Sequence, residues 1–385
     1  MSDPIRVFAS SFNCAKAFPV QDIEAQKSLI EQLIPHISHH DVYILGFQEL
    51  VSIWEGSFPN VCLQYLRGVS KVVLERINTD ESVFKCVDVN CLGGMGIMVF
   101  CRNEYELSNV TKGNVRCGAF YSSLKGATAT KFTIKRSGVV DTITCLSSHL
   151  AANEGLINLE KRIQDYHAIM QSLREQFGDI DSTNFIFIGD LNFRLNKRFG
   201  DINYMDPDII SQLLEECDEL KDVIKTGRAF ENFKEAEILF PPTFKYNVAD
   251  SKAVPPIDPL TYNFKRQPSW CDRILYSNNE KATTSLYKAI PRTPEFHFTD
   301  HQPVILSIEL PHIEAVSDFE AEEITDTGEE TNELEKLLPT SSVSSLSLSC
   351  GRIVDYIMGY SGWLYCKHPR WLLVIITLFS IYWLA

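Results

Sequence analysis

Apolar positions in the first 312 residues follow two alternating rhythms. Short runs rich in β-branched and aromatic residues read as buried strands at Ile5–Phe12, Val42–Phe47, Gly96–Cys101, Thr128–Ile134, Val140–Leu146, Phe185–Ile188 and Val304–Leu310. Helical spacing appears between them at Gln21–Ile37, near Val61–Ile77 and at Leu156–Leu173. In the last segment Leu156, Leu159, Ile163, Tyr166, Ile169 and Leu173 share one face, which predicts a helix packed on a sheet. Strands interleaved with helices make residues 1–312 a single α/β domain.

The pattern changes beyond this. Residues 313–352 hold few large apolar side chains, and Glu314–Glu335 carries ten acidic residues with no basic one before the serine-rich PTSSVSSLSLS at 339–349. That composition predicts a disordered linker, with a coil reach of roughly 35 Å. Residues 353–385 then form a membrane-proximal segment and a terminal apolar run. Its core, WLLVIITLFSIYWLA at 371–385, has no charge in fifteen residues. As a helix it would span about 22 Å, short of a roughly 30 Å hydrocarbon core. Lys367, His368 and Arg370 flank the run as a cytoplasmic edge requires, and Trp371, Tyr382 and Trp383 suit the two interfaces. The reading is a single-pass C-terminal tail anchor, with the domain facing the cytosol. The short span fits the thin endoplasmic reticulum bilayer.

Charge and cysteines narrow the chemistry. The formal charge is −14, and the body stays acidic without its linker, which excludes the basic footprint of sequence-independent nucleic-acid binding. Eleven cysteines show no CxxC pair and no zinc spacing, so they read as reduced, mostly core residues.

Polar residues gather at the ends of the strand runs. Asn13, Glu49 and His149 each follow one, Asp190 and Asn192 follow Phe185–Ile188, and Asp300 and His301 precede Val304–Leu310. Within Asn184–Arg194 (NFIFIGDLNFR), Gly189, Asp190 and Asn192 fit either a plain turn or a reacting pair aimed the same way by strand alternation. Taken together, the set permits metal-assisted phosphoryl hydrolysis. Glu49 is a hard ligand for Mg²⁺, Asp190 orients and deprotonates water, and Asn192 and His149 meet the phosphoryl oxygens. A carboxylate beside His301 would keep that imidazole cationic.

GDLNFR at 189–194 and PSWCDRIL at 268–275 resemble the two signature motifs of inositol polyphosphate 5-phosphatases. SFN at 11–13, GFQE at 46–49, SLKGA at 123–127, SHLAAN at 148–153, PPTFKYN at 241–247 and TDHQPV at 299–304 extend the resemblance over residues 5–310. With its tail, the chain is similar to the small tail-anchored fungal members. The resemblance implies a four-layer α/β/β/α sandwich plus a C-terminal tail-anchor helix. It also implies Mg²⁺-dependent removal of the 5-phosphate, with phosphatidylinositol 4,5-bisphosphate as the lipid substrate.

By the same resemblance Glu49 binds the metal with Asn13 beside it, and Asp190 activates water with Asn192 as its phosphate-binding neighbour. His149 and His301 contact phosphate, Asp272 orients His301, and Asp300 lies near the metal. Lys245 and Arg266 match the positions that hold the 4-phosphate, with Lys265 as a weaker third. Trp270 and Cys271 read as packing residues, and Arg194 as a loop-holding residue through an ion pair. Asn153, Ala127, Phe244 and Asn247 depart from the family pattern. Two other functions stay open: a phosphodiesterase of the wider superfamily acting on nucleic acid or a sphingomyelin-like lipid, and a non-catalytic phosphoinositide-binding membrane tether.

Overall fold

The computed structural model describes residues 3–35, 40–200, 202–249, 258–313 and 345–370. Two six-stranded mixed sheets lie face to face. The first runs β11 (Thr283–Ala289), β12 (Val304–Leu310), β1 (Ile5–Asn13), β2 (Val42–Gln48), β4 (Met95–Arg102), β3 (Phe84–Leu92). The second runs β5 (Glu106–Arg116), β6 (Gly126–Arg136), β7 (Val139–His149), β8 (Asn184–Asp190), β10 (Asp272–Ser277), β9 (Phe233–Glu235). Each sheet has one parallel pair at its centre, β1 with β2 and β7 with β8.

Three apolar cores separate four layers. Between the sheets, Val7, Ile44 and Val99 meet Ile143, Ile186 and Ile274. The other face of the first sheet packs Phe8, Tyr43 and Phe100 on α1 (Ile23–Leu33) and α3 (Pro59–Ile77). The other face of the second packs Phe185 and Phe187 on α4 (Leu156–Phe177) and α6 (Glu219–Lys225). Both faces of the central strands are therefore buried, so they read as continuous apolar runs rather than alternating ones. Two short helices complete the domain: α2 (Ile53–Gly56) leads into α3, and α5 (Pro207–Cys217) leads into α6.

The strand and helix runs expected from the sequence are all present, with ends shifted by a few residues. Strands β3, β5, β9, β10 and β11 were not anticipated. In β5 seven of eleven residues are exposed, so an edge strand gave little apolar signal.

The C-terminal region departs from expectation. The linker expected through residue 352 gives way at 345 to α7 (Ser345–Lys367). This helix packs on α2 and on the 3₁₀ turn Ala119–Tyr121. Gly351, Gly359 and Gly362 lie along the docked side, where a Cβ would run into the Tyr121 carbonyl, the Phe58 ring and the Trp54 side chain respectively. Buried Asp355, between them, pairs with Arg116 and accepts from the Ser123 N–H at 2.9 Å. Low hydrophobicity hides such an interface from a composition reading, because glycine and one aspartate carry it. Residues 314–344 and the expected anchor core, 371–385, lie outside the described residues. Among the described residues no helix is long and apolar enough to cross a membrane.

Asp355→Ala removes the carboxylate that half-buried Arg116 and the buried Ser123 N–H both donate to, which costs roughly 1–3 kcal/mol. Limited proteolysis should cut residues 345–367 of that variant first, while the sandwich stays intact.

Candidate active site

Strand register does most of the assembly. In the second sheet His149 lies opposite Asp190 across the parallel β7–β8 pair, and Asp272 lies opposite Asp190 across the antiparallel β8–β10 pair. Three polar residues on adjacent strands thus stand side by side at one sheet end. The first sheet contributes Asn13 at the end of β1, Glu49 just past β2, and His301 shortly before β12. At Gly189 the chain passes so close to β7 that a Cβ would strike the Ser148 carbonyl, so glycine is needed just before Asp190. Glu49 and Asn192 both have positive φ, 47° and 58°, at the two strand exits.

Asp190 sits at the centre. Its Oδ2 accepts from Asn13 Nδ2 at 2.8 Å across the sheets and lies 3.2 Å from His149 Nε2 and 3.9 Å from His301 Nε2. Its Oδ1 accepts from the Asn192 N–H at 3.1 Å. Burial opposes charge on Asp190, but the facing His149 and His301 outweigh it and hold the carboxyl well below the usual range. His149 is itself pushed down, first by burial and then by the neighbouring Lys125. The lasting cation is therefore His301. Burial pulls it down, yet Asp272 and Asp190 raise it to about 9. Its Nδ1 donates to Asp272 Oδ2 at 2.9 Å, and Thr243 Oγ1 donates to the same oxygen at 2.7 Å.

The profile of endonuclease/exonuclease/phosphatase family 2 matches residues 10–307. The chain belongs to this family. Among curated relatives it is 31% identical over 319 residues to the phosphatidylinositol 4,5-bisphosphate 5-phosphatase INP51 of Saccharomyces cerevisiae, covering 78% of this chain and 31% of that protein. It is 26% identical over 315 residues to the inositol-1,4,5-trisphosphate 5-phosphatase 1 of Schizosaccharomyces pombe, covering 79% and 27%. The chain thus matches less than a third of either relative's length. Among solved structures, the inositol polyphosphate 5-phosphatase domain of a synaptojanin, in complex with inositol (1,4)-bisphosphate and calcium, superposes with a TM-score of 0.63 at 25% identity, covering 80% of this chain and 84% of that one. A nitrophorin from Cimex superposes at 0.57 with 17% identity, covering 80% and 99%, so the fold alone does not carry the chemistry. The motif resemblance to inositol polyphosphate 5-phosphatases holds.

Within this family-2 domain several side chains stand differently from expectation. Asn192 lies beyond the strand, so alternation does not aim it with Asp190. Its amide donates to the Leu150 carbonyl at 3.1 Å, and its own carbonyl accepts from Arg194, which ties it to the loop. Arg194 holds that loop through hydrogen bonds to Asn192 and a stack over Phe244 at 4.4 Å, rather than through an ion pair. Phe244 stacks in turn on His301 at 4.6 Å. Asp300 pairs with Lys245 at 2.7 Å, which sets it beside a candidate substrate cation. Arg266 donates to Asn153 Oδ1 at 3.0 Å, so Asn153 positions that guanidinium. Lys265 is exposed. Trp270 and Cys271 are fully buried, and burial pushes the Cys271 thiol well up, so they pack.

Sequence reading gave no role to Lys125, although SLKGA was noted. Its ammonium lies against His149 Nε2, and burial pulls it down to about 8 while Asp190 and Glu49 oppose. Thr243 and Lys16 were also missed. Arg273 of the second signature is buried and bonds Asp218 and Glu235, a framework role.

Two donor sets could hold a divalent cation. Ligand atoms of Asp190, Asp272 and His301 lie within 4.8 Å of one another. A cationic His301 that donates to Asp272 offers no lone pair on Nδ1, so this trio reads as a hydrogen-bonded charge array. Glu49 fits better. Burial raises it, but Lys16, bonded to it at 2.6 Å, and Lys125 hold it below the usual carboxylate range, and it lines an open cleft with His149. Hard oxygen, partial exposure and room for water suit Mg²⁺. Asn13 instead bridges, accepting from Ala15 N–H while orienting Asp190.

In a proton NMR titration His301 should change state near pH 9, and Asp272→Asn should bring that transition down by more than one pH unit. A His301 that titrates near 6.5 in both proteins contradicts the pairing.

Proposed function

We propose that the chain is an Mg²⁺-dependent phosphoinositide 5-phosphatase that converts phosphatidylinositol 4,5-bisphosphate to phosphatidylinositol 4-phosphate and inorganic phosphate. The observation that carries this reading is the in-register His149–Asp190–Asp272 row closed by a cationic His301. The names of the relatives point to the same substrate class.

The substrate phosphate enters a cleft lined by Lys125 and His149, with His301 as the opposing cation. Bound at Glu49, Mg²⁺ would supply Lewis-acid stabilisation of the phosphoryl oxygens. Asp190 fixes a water in line with the phosphorus. A carboxylate held this low is a weak base, so it orients the water and takes its proton only as the new bond from the water oxygen to phosphorus forms. The bond from phosphorus to the inositol oxygen breaks; that oxygen leaves as an alkoxide and takes its proton from solvent water, while Asp190 returns the proton of the attacking water to solvent. Arg266, presented by Asn153, and Lys245, paired with Asp300, suit the adjacent 4-phosphate. The acidic surface argues against a nucleic-acid substrate. Residues 371–385 anchor the chain in the endoplasmic reticulum membrane with the domain in the cytosol.

Phosphate release from phosphatidylinositol 4,5-bisphosphate, the 3,4,5-trisphosphate and inositol 1,4,5-trisphosphate, beside phosphocholine release from sphingomyelin and strand cleavage of abasic DNA, each with and without Mg²⁺, tests the reading. The expected result is Mg²⁺-dependent turnover of the inositol substrates alone. Asp190→Ala should lose about 10³-fold with its folded circular dichroism unchanged. Binding of inositol lipids with no turnover would replace the enzyme by a tether.

A further inference from the structure

α7 has two unlike sides. The docked side is Gly351, Asp355, Gly359 and Gly362, seated on α2 and the loop after β5. The opposite side exposes Ile353, Tyr356 and Ile357, at 58, 52 and 61%. These residues follow i, i+3, i+4 spacing and form an apolar stripe. The helix's acidic residue, Asp355, is turned inward on Arg116. Its cations are both exposed, Arg352 directly before the stripe and Lys367 at the last position, and Arg370 follows. An apolar and aromatic stripe bracketed by cations suits the headgroup boundary of an anionic bilayer. The sequence points to the same occupant. Four residues after Lys367 the chain enters the fifteen-residue uncharged run.

The docked side adds a consequence. Ile53 and Gly56 of α2, and Ser123 and Lys125 of the clamped loop, line the same cleft as Glu49 and His149. Asp355 holds that loop directly through the Ser123 N–H. A surface seated on α7 would lie about one helix diameter, ~10 Å, from elements that form the cleft.

We infer that α7 is an interfacial helix whose Ile353–Tyr356–Ile357 stripe seats on the lipid surface and fixes the catalytic cleft beside it. The domain then works on the membrane that carries it, not at the end of a long free tether. This rests on the phosphoinositide phosphatase reading above.

The test uses full-length chain in vesicles of phosphatidylcholine and phosphatidylinositol 4,5-bisphosphate, with inositol 1,4,5-trisphosphate as a soluble substrate in parallel. The variant is Ile353→Ser, Tyr356→Ser, Ile357→Ser combined, which leaves the docked side untouched. Lipid turnover should fall about tenfold or more while soluble turnover stays unchanged. Hydrogen exchange over residues 345–367 should be faster in the variant. Unchanged lipid turnover and exchange would overturn the inference. So would an equal fall on both substrates, which marks a structural role, or a self-association lost with the stripe, which marks a second copy as the occupant. A wild-type chain that turns over neither substrate rejects the phosphatase reading, and hydrogen exchange still decides whether the stripe meets lipid.

Discussion

The arrangement depends on one constraint: a buried carboxylate, Asp190, that must stay ionised between two facing sheets. Its charge is costly to bury alone, so every neighbour answers it. Asn13 donates across the gap, the Asn192 N–H donates from the following loop, and His301 supplies the cation. His301 keeps that charge because Asp272 lies one strand away in register. Loss of the β8–β10 register by one residue would turn Asp272 to the other face and strand Asp190 without its cation.

The same logic sets the division of labour between two histidines. Both are buried beside Asp190, yet Lys125 presses His149 toward neutrality while Asp272 keeps His301 charged. Two chemically identical side chains thereby differ in protonation, which lets one bind anionic oxygen as a cation and the other donate or accept as a neutral ring. Separating Glu49 from this array, on the opposite sheet and partly open to solvent, leaves a hard oxygen ligand free of the hydrogen-bonded cluster.

Much of this was legible in the sequence because strand ends are legible. Apolar runs that stop at Asn13, Glu49, His149 and Asp190 mark where buried strands surface, and the central strands matched closely. Register across strands was not legible, so the His149–Asp190–Asp272 row was recognised as motif members rather than neighbours. Side-chain direction past a strand end also escaped. Asn192 sits at positive φ, where the alternation argument no longer applies. Lys125 was hidden because a lone lysine in a loop reads as a solubilising charge. Of Gly189–Asn192, posed as a turn or a reacting pair, Gly189 and Asp190 are the last two residues of β8, and strand register rather than a turn delivers Asp190. Toward the C-terminus, Gly351 read as linker and Asp355, Gly359 and Gly362 as a membrane-proximal segment, whereas together they form the docked face of α7.

Anomalous diffraction from crystals soaked in Mn²⁺, a substitute for Mg²⁺, tests the central claim most directly. A peak on the Glu49 carboxylate, with His301 still hydrogen-bonded to Asp272, is the predicted result. A peak coordinated by Asp190, Asp272 and His301 together would contradict it, because His301 could not then be the cation that keeps Asp190 charged.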